Sequence, residues 1–263
     1  MIGDIDERRA PLLDHLIELR RRLLWSIAAL GGAFFACLYF AEPIFAFLVQ
    51  PLIAAGQGKI IYTDVFEAFF VNLKVAFFAA IMVAFPVMAT QLWAFVAPGL
   101  YRQEKRALLP FLMMTPVLFT AGAALAYYVA MPVALRFLLG FQGDVGGIQQ
   151  EALPGVGNYL SFVTKFIFGF GVAFLTPVLL MLLERAGIVT RAQLVAGRRY
   201  AIVIAFVIAA VLTPPDVLSQ LLLAVPLVLL YELALIAIWF TERRRSRARP
   251  AVDAQPGGDD AAA

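Results

Sequence analysis

Two carboxylates stand among arginines near what would be one face of the molecule. They are Glu18, in His15-Leu16-Ile17-Glu18-Leu19-Arg20, and Glu104, in Tyr101-Arg102-Gln103-Glu104-Lys105-Arg106. An ionised carboxylate accepts a guanidinium fork through two parallel hydrogen bonds, so an acidic pocket on so basic a face would take a cationic peptide. The helical pattern allows a second reading, in which Glu18 lies on a solvated helix face and Glu104 in an ordinary charged turn. Other chemistry has little material. His15 is the single histidine and Cys37 the single cysteine, which excludes an intramolecular disulfide and a cysteine-based zinc site. No Walker motif, metal-ligand cluster or nucleophile–base set is present, so no enzyme activity, metal or cofactor is expected.

The elements that must position these groups are membrane helices. The chain has 263 residues, of which 62% are hydrophobic and 15% charged. Soluble domains carry about 45–50% apolar and about 25% charged residues. Stretches without Asp, Glu, Lys or Arg cover 23–41, 75–101, 107–135, 166–183, 200–215 and 217–231. A span needs about 20 apolar residues, so the first four suffice and the last two, of 16 and 15 residues, are short. Between those two lies Thr213-Pro214-Pro215-Asp216, where two prolines remove two amide donors and a carboxylate marks an aqueous edge. This segment predicts a hairpin between two helices.

Charge placement fixes the count. Alternating sides puts 17 of the 21 Lys and Arg residues on one side and 4 on the other. The positive-inside rule makes the first side cytoplasmic, with both termini on it, and this requires an even number of spans. The expected fold is an all-α integral membrane protein of six transmembrane helices, at about 23–41, 70–97, 107–135, 158–183, 200–213 and 217–238. A cytoplasmic amphipathic segment, 1–22, precedes them, and a basic, then disordered, tail follows at 241–263. The net charge of +3 lies in loops between apolar runs, which argues against nucleic acid. No removable signal peptide and no internal repeat are read.

Finer expectations concern prolines and connections. Pro86, Pro116, Pro177 and Pro226 lie inside spans and predict kinked helices and a concave bundle. The connection 42–63, with Pro43, Pro51 and the Phe45/Phe47/Leu48/Leu52 cluster, predicts an amphipathic outer cap. Asp64 and Glu67 have capping-box spacing, which starts the second helix near Val65; Phe95, Pro98 and Tyr101 close it as a belt aromatic and a helix stop. Lys165 snorkels outward, and Glu232 snorkels or pairs with Arg243 or its neighbours. A six-span secondary transporter of a small solute is the alternative; it would favour internal symmetry and deep ionisable pairs, which are lacking.

Three phrases carry a resemblance. They are His15-Leu16-Ile17-Glu18-Leu19-Arg20, then Trp93-Ala94-Phe95-Val96-Ala97-Pro98-Gly99-Leu100-Tyr101 with Glu104 after it, and Leu212-Thr213-Pro214-Pro215-Asp216-Val217-Leu218-Ser219-Gln220. In this order and in these loops, the sequence resembles TatC, the multispanning subunit of the twin-arginine protein translocase, from about Pro11 to Phe240. The resemblance implies a receptor for folded cargo whose signal carries two consecutive arginines, with Glu18 and Glu104 recognising the pair. It extends the signal-binding set to Leu19, Arg20, Phe95 and Tyr101, and gives Pro51, Pro86, Pro98, Pro214, Pro215 and Asp216 structural or functional loop roles. It also implies assembly with TatA-like and TatB-like single-span subunits, self-association, and use of the proton-motive force in a bacterial inner membrane. One position departs. Members usually carry Glu or Gln two residues before the proline of the fourth helix, where this chain has Leu175, followed by Thr176. The partner-binding set implied here is Leu175, Thr176 and Gln220.

Overall fold

The computed structural model describes residues 3–100, 105–213 and 216–248. Ten α-helices, a π-helical turn and one small hairpin make up these residues. The first helix, α1, runs from Gly3–Tyr39 without a break, so the amphipathic segment and the first span are one element. No Pro or Gly falls between Leu12 and Leu30, and Glu18 pairs with Arg22 one turn on, so nothing in the sequence ends the helix at the membrane edge.

Helix α2 (Ala41–Ala54) forms where the sequence predicts a short amphipathic helix, and it is held by two tyrosines. Pro51 has no N–H, which leaves the carbonyl of Phe47, four residues back, without its helical donor. The Tyr127 hydroxyl supplies that donor at 2.6 Å, and the Tyr127 ring stacks on Phe47 with centroids 4.3 Å apart. The Tyr159 hydroxyl donates to the next carbonyl, Leu48, at 2.9 Å. Tyr127→Phe is expected to lower stability by about 1–2 kcal/mol, because a carbonyl is left unpaired. Pro51→Ala in the same chain restores an amide donor and should recover most of that loss. Thermal unfolding of the four combinations in detergent measures it.

Helix α3 spans Glu67–Leu100 and begins two residues later than the capping-box spacing predicts. The Asp64 carboxylate accepts from Phe66 N, forming a tight turn instead of capping the helix, while Glu67 folds back. Glu67 Oε2 accepts from the Thr63 amide, the Thr63 hydroxyl at 3.0 Å and the Asp64 amide at 3.3 Å. Its other oxygen accepts from Gly157 N at 2.6 Å, tying the start of α3 to α6. At about 1.5 Å per residue its 34 residues exceed a bilayer's hydrocarbon, as expected. The helix continues past Pro98, which therefore does not stop it.

Helix α4 (Lys105–Leu125) leads through the π-helical turn Ala126–Ala130 into α5 (Met131–Leu139). α3, α4 and α10 pass uninterrupted through Pro86, Pro116 and Pro226. The interruptions fall at Pro132, which the π-helical turn precedes, and at Pro177, which follows a break at Phe174 and Leu175. After α5 comes a two-stranded antiparallel hairpin, β1 (Gly143–Val145) and β2 (Ile148–Gln150), whose turn needs positive φ at Gly146 and Gly147. The loops before α3 and α6 are knitted together: Val156 N donates to Ile61 O at 2.9 Å, and Gln57 Nε2 to Ala152 O at 2.6 Å.

The core centres on α6 (Val156–Ala173), where Val163, Phe166 and Phe170 are fully enclosed. α6 meets α4 at glycines. A Cβ on Gly122 would stand 2.6 Å from Phe170 O, and one on Gly171 would stand 2.7 Å from the Phe119 ring. The chain finishes with α7 (Thr176–Arg185), α8 (Arg191–Ala196), α9 (Arg198–Leu212) and α10 (Val217–Ala248).

Among the described residues, five stretches are long and apolar enough to cross a membrane: Leu16–Tyr39, Glu67–Phe95, Met113–Leu139, Val156–Arg185 and Val217–Arg243. Helix α9, where the fifth span is expected, has 15 residues and falls short of that length, as does the apolar helix α2. The last span is not short, contrary to its charge-free length, because Glu232 is paired within it. Residues 241–248 of the expected tail continue α10, and 249–263 lie outside the described residues. Helix α1 is the least enclosed: 6% of its apolar window is buried against 28–44% in the other four. It packs on α3 through Cys37, Ala76 and Ala80, with Phe34 edge-on to Phe77.

Candidate functional site

Glu18 is placed by α1, one turn before the apolar run begins. Arg22 Nε and Nη2 both donate to Glu18 Oε1, at 3.0 and 2.5 Å. The Glu18 side chain keeps 35% of its surface and that of Arg22 25%. Leu19 and Arg20 are exposed on neighbouring faces. Beside them an open depression of about 450 Å³ runs along α1, lined by Ile17, Arg20, Arg21, Leu24, Trp25 and Ala28. All six belong to one helix, so this is an open, mainly apolar strip of the α1 surface that Arg20 and Arg21 flank.

Phe95 sits half-buried near the same end of α3. Two residues earlier, Trp93 Nε1 donates to Thr115 Oγ1 at 2.9 Å and ties α3 to α4. Trp93 also packs on Val178 and Leu182 of α7. Tyr101 and Glu104 lie outside the described residues, as does the side chain of Pro98. The structure therefore describes Glu18, Leu19, Arg20 and Phe95 of the signal-binding set.

Helix α8, the start of α9 and the middle of α10 are joined by two consecutive side chains of α10. Tyr231 donates to Leu194 O at 2.6 Å, and Glu232 accepts from Arg198 at 2.8 Å. The expected partner of Glu232 in the basic tail is thus replaced by the first residue of the antiparallel neighbour. Arg243 instead stands 4.4 Å over the Trp239 ring.

Along the membrane face, Leu175 is half-buried and caps α7 at the break. Thr176 Oγ1 donates to Ala173 O at 2.6 Å, so its proton is engaged within its own helix and only lone pairs face outward. Gln220 Nε2 donates to Phe206 O at 3.2 Å and holds α10 to α9. Asp216 accepts from Ser219 N at 2.7 Å and caps α10, while Pro214 and Pro215 lie outside the described residues. Pro51 is buried in α2 and Pro86 faces outward from α3. Lys165 is exposed on α6 and forms no ion pair among the described residues.

Arg22, Tyr127 and Tyr159 are structural partners that the sequence analysis does not single out. The Glu18–Arg22 spacing of four residues was a usable signal. The Pro51 carbonyl deficit was another, though it says only that some donor is required.

The family model for the Sec-independent protein translocase protein (TatC) matches residues 14–226. A Sec-independent protein translocase protein TatC from Magnetococcus marinus is 49% identical over 255 residues, covering 96% of this chain and 93% of that one. Its counterpart from Desulforapulum autotrophicum is 41% identical, covering 88% and 85%. A solved structure described as the twin arginine translocase receptor TatC superposes with a TM-score of 0.76 at 40% identity, over 87% of this chain and all of that one. With the family model covering most of its length and relatives matched end to end, the chain belongs to the TatC family of Sec-independent protein translocase proteins.

Proposed function

We propose that the protein is the signal receptor and core subunit of a twin-arginine translocase. Glu18 and Glu104 accept the two guanidiniums on the cytoplasmic face, and Leu19, Arg20, Phe95 and Tyr101 shape the surrounding surface. The supporting observation is Glu18 itself: a partly exposed carboxylate on an arginine-crowded stretch of α1, with Oε2 free of donors among the described residues. The residues before α1's apolar run and the tail from 241 lie in the cytoplasm, with the protein in a bacterial inner membrane. Cargo passes with TatA-like and TatB-like single-span subunits and further copies of this chain, driven by the proton-motive force and without covalent chemistry.

Crosslinking tests the receptor reading. A twin-arginine peptide carrying a photoreactive group is expected to label the protein in native membranes, and its twin-lysine counterpart is not. Equal labelling by both removes the reading. Transport of a small solute by reconstituted protein alone would favour the secondary transporter instead.

Leu175 bears on the partner subunits. Leucine offers packing but no hydrogen bond, and interhelical polar contacts average only about 0.6 kcal/mol. Single-span partners are therefore expected to co-purify with the native protein and with Leu175→Glu to a similar extent. Retention by the Glu variant alone contradicts this.

A further inference from the structure

The carboxylate assigned to the signal already has a resident cation. Both Arg22 donors converge on Oε1 of Glu18, and no described residue donates to Oε2. The side chain of Arg22 is the less exposed of the two. Its neighbours Arg20 and Arg21 line the open depression instead and form no ion pair among the described residues. Of three consecutive arginines, the one four residues after Glu18 is drawn onto it, in the order that a helix favours.

We propose that Arg22 is a specificity-determining positioning residue for signal recognition: it fixes the Glu18 rotamer, occupies Oε1 and leaves Oε2 as the docking atom beside a fixed positive charge. This rests on the reading of Glu18 as a signal acceptor. An incoming cation must then share one carboxylate with a guanidinium. A lysine ammonium is a compact, strongly hydrated point charge and gains little from an oxygen whose partner is already neutralised. A guanidinium is planar, weakly hydrated and spreads its charge over five donors, so it bonds Oε2 while lying alongside Arg22. Discrimination comes as much from disfavouring the ammonium as from holding the guanidinium. Without Arg22, the bare carboxylate accepts either.

The test uses the full-length protein in lipid nanodiscs as wild type, Arg22→Gln, Arg22→Lys and Glu18→Gln. Each is titrated with a fluorescent twin-arginine signal peptide and its twin-lysine counterpart. The wild type is expected to prefer twin-arginine. Arg22→Gln is expected to bind twin-lysine more tightly than the wild type does, reducing the preference by about two- to fivefold, the range an exposed ion pair supplies. Arg22→Lys keeps the charge but loses the fork, and should reduce the preference by a smaller factor. An unchanged preference in Arg22→Gln, or equal weakening of both peptides, overturns the proposal. If Arg22→Gln fails to insert, an unchanged preference in Arg22→Lys overturns it as well. Loss of binding in Glu18→Gln with an intact preference in Arg22→Gln sinks this inference alone. A wild type that does not discriminate, with Glu18→Gln unchanged, removes the receptor reading and this inference together.

Discussion

Converting Glu18 and Glu104 together to glutamine is expected to weaken binding of a twin-arginine signal by about 30- to 1,000-fold. A guanidinium–carboxylate contact at a partly exposed site contributes about 1–2 kcal/mol, so two contribute about 2–4 kcal/mol, and each 1.4 kcal/mol is tenfold in affinity. Glutamine keeps the shape and one acceptor oxygen but removes the charge. Folding should survive, because the Glu18–Arg22 pair lies within one helix at roughly a third exposure, where such pairs contribute about 0.3–0.5 kcal/mol. Equilibrium binding of a labelled signal peptide measures the loss, and size-exclusion chromatography confirms that the variant is intact. Unchanged affinity in a folded double variant would take the receptor role away from these two residues.

The largest effect on the fold is expected at the α4–α6 crossing, and one substitution type made in two places isolates its cause. Gly122→Ala places a methyl group 2.6 Å from Phe170 O and 2.8 Å from the Phe174 ring. Backbone cannot retreat as the end of a side chain can, so the helices must separate, and overpacking of this kind costs about 1–3 kcal/mol. Gly32→Ala on α1 meets nothing within 4 Å. There the substitution removes only glycine's helix penalty, a gain of up to about 1 kcal/mol. Thermal unfolding in detergent should therefore shift in opposite directions for the two variants. A shift of the same sign and size would mean that close packing at Gly122 does not hold α4 against α6.

Much of the architecture was legible because a bilayer imposes a length and a charge rule. The Thr213-Pro214-Pro215-Asp216 break and the arginine distribution locate the α9–α10 hairpin without any packing information. Contacts between distant segments were not legible in the same way. The spacing of Asp64 and Glu67 reveals a turn, but nothing in it says that the second Glu67 oxygen reaches Gly157, 90 residues away. Glu232 was read against the tail that follows it, whereas an antiparallel neighbour brings Arg198 closer. The prolines inside spans are plain in the sequence, but not which of them interrupt a helix: α3, α4 and α10 carry theirs without a break, and the breaks fall beside Pro132 and Pro177. For the site, the type of residue is readable at Glu18, and its engagement by Arg22 follows from the i to i+4 spacing once the helix is known to be continuous.

The packing of α1 has a practical consequence. The chain has a single thiol, Cys37, 8% exposed in the seam where α1 meets Ala76 and Ala80 of α3. A maleimide reaches that sulfur only while the two helices stand apart. The rate of alkylation in native membranes thus reports how tightly α1 packs on α3 at that seam. It is measured on the unmodified chain, and it can be read with and without a bound signal.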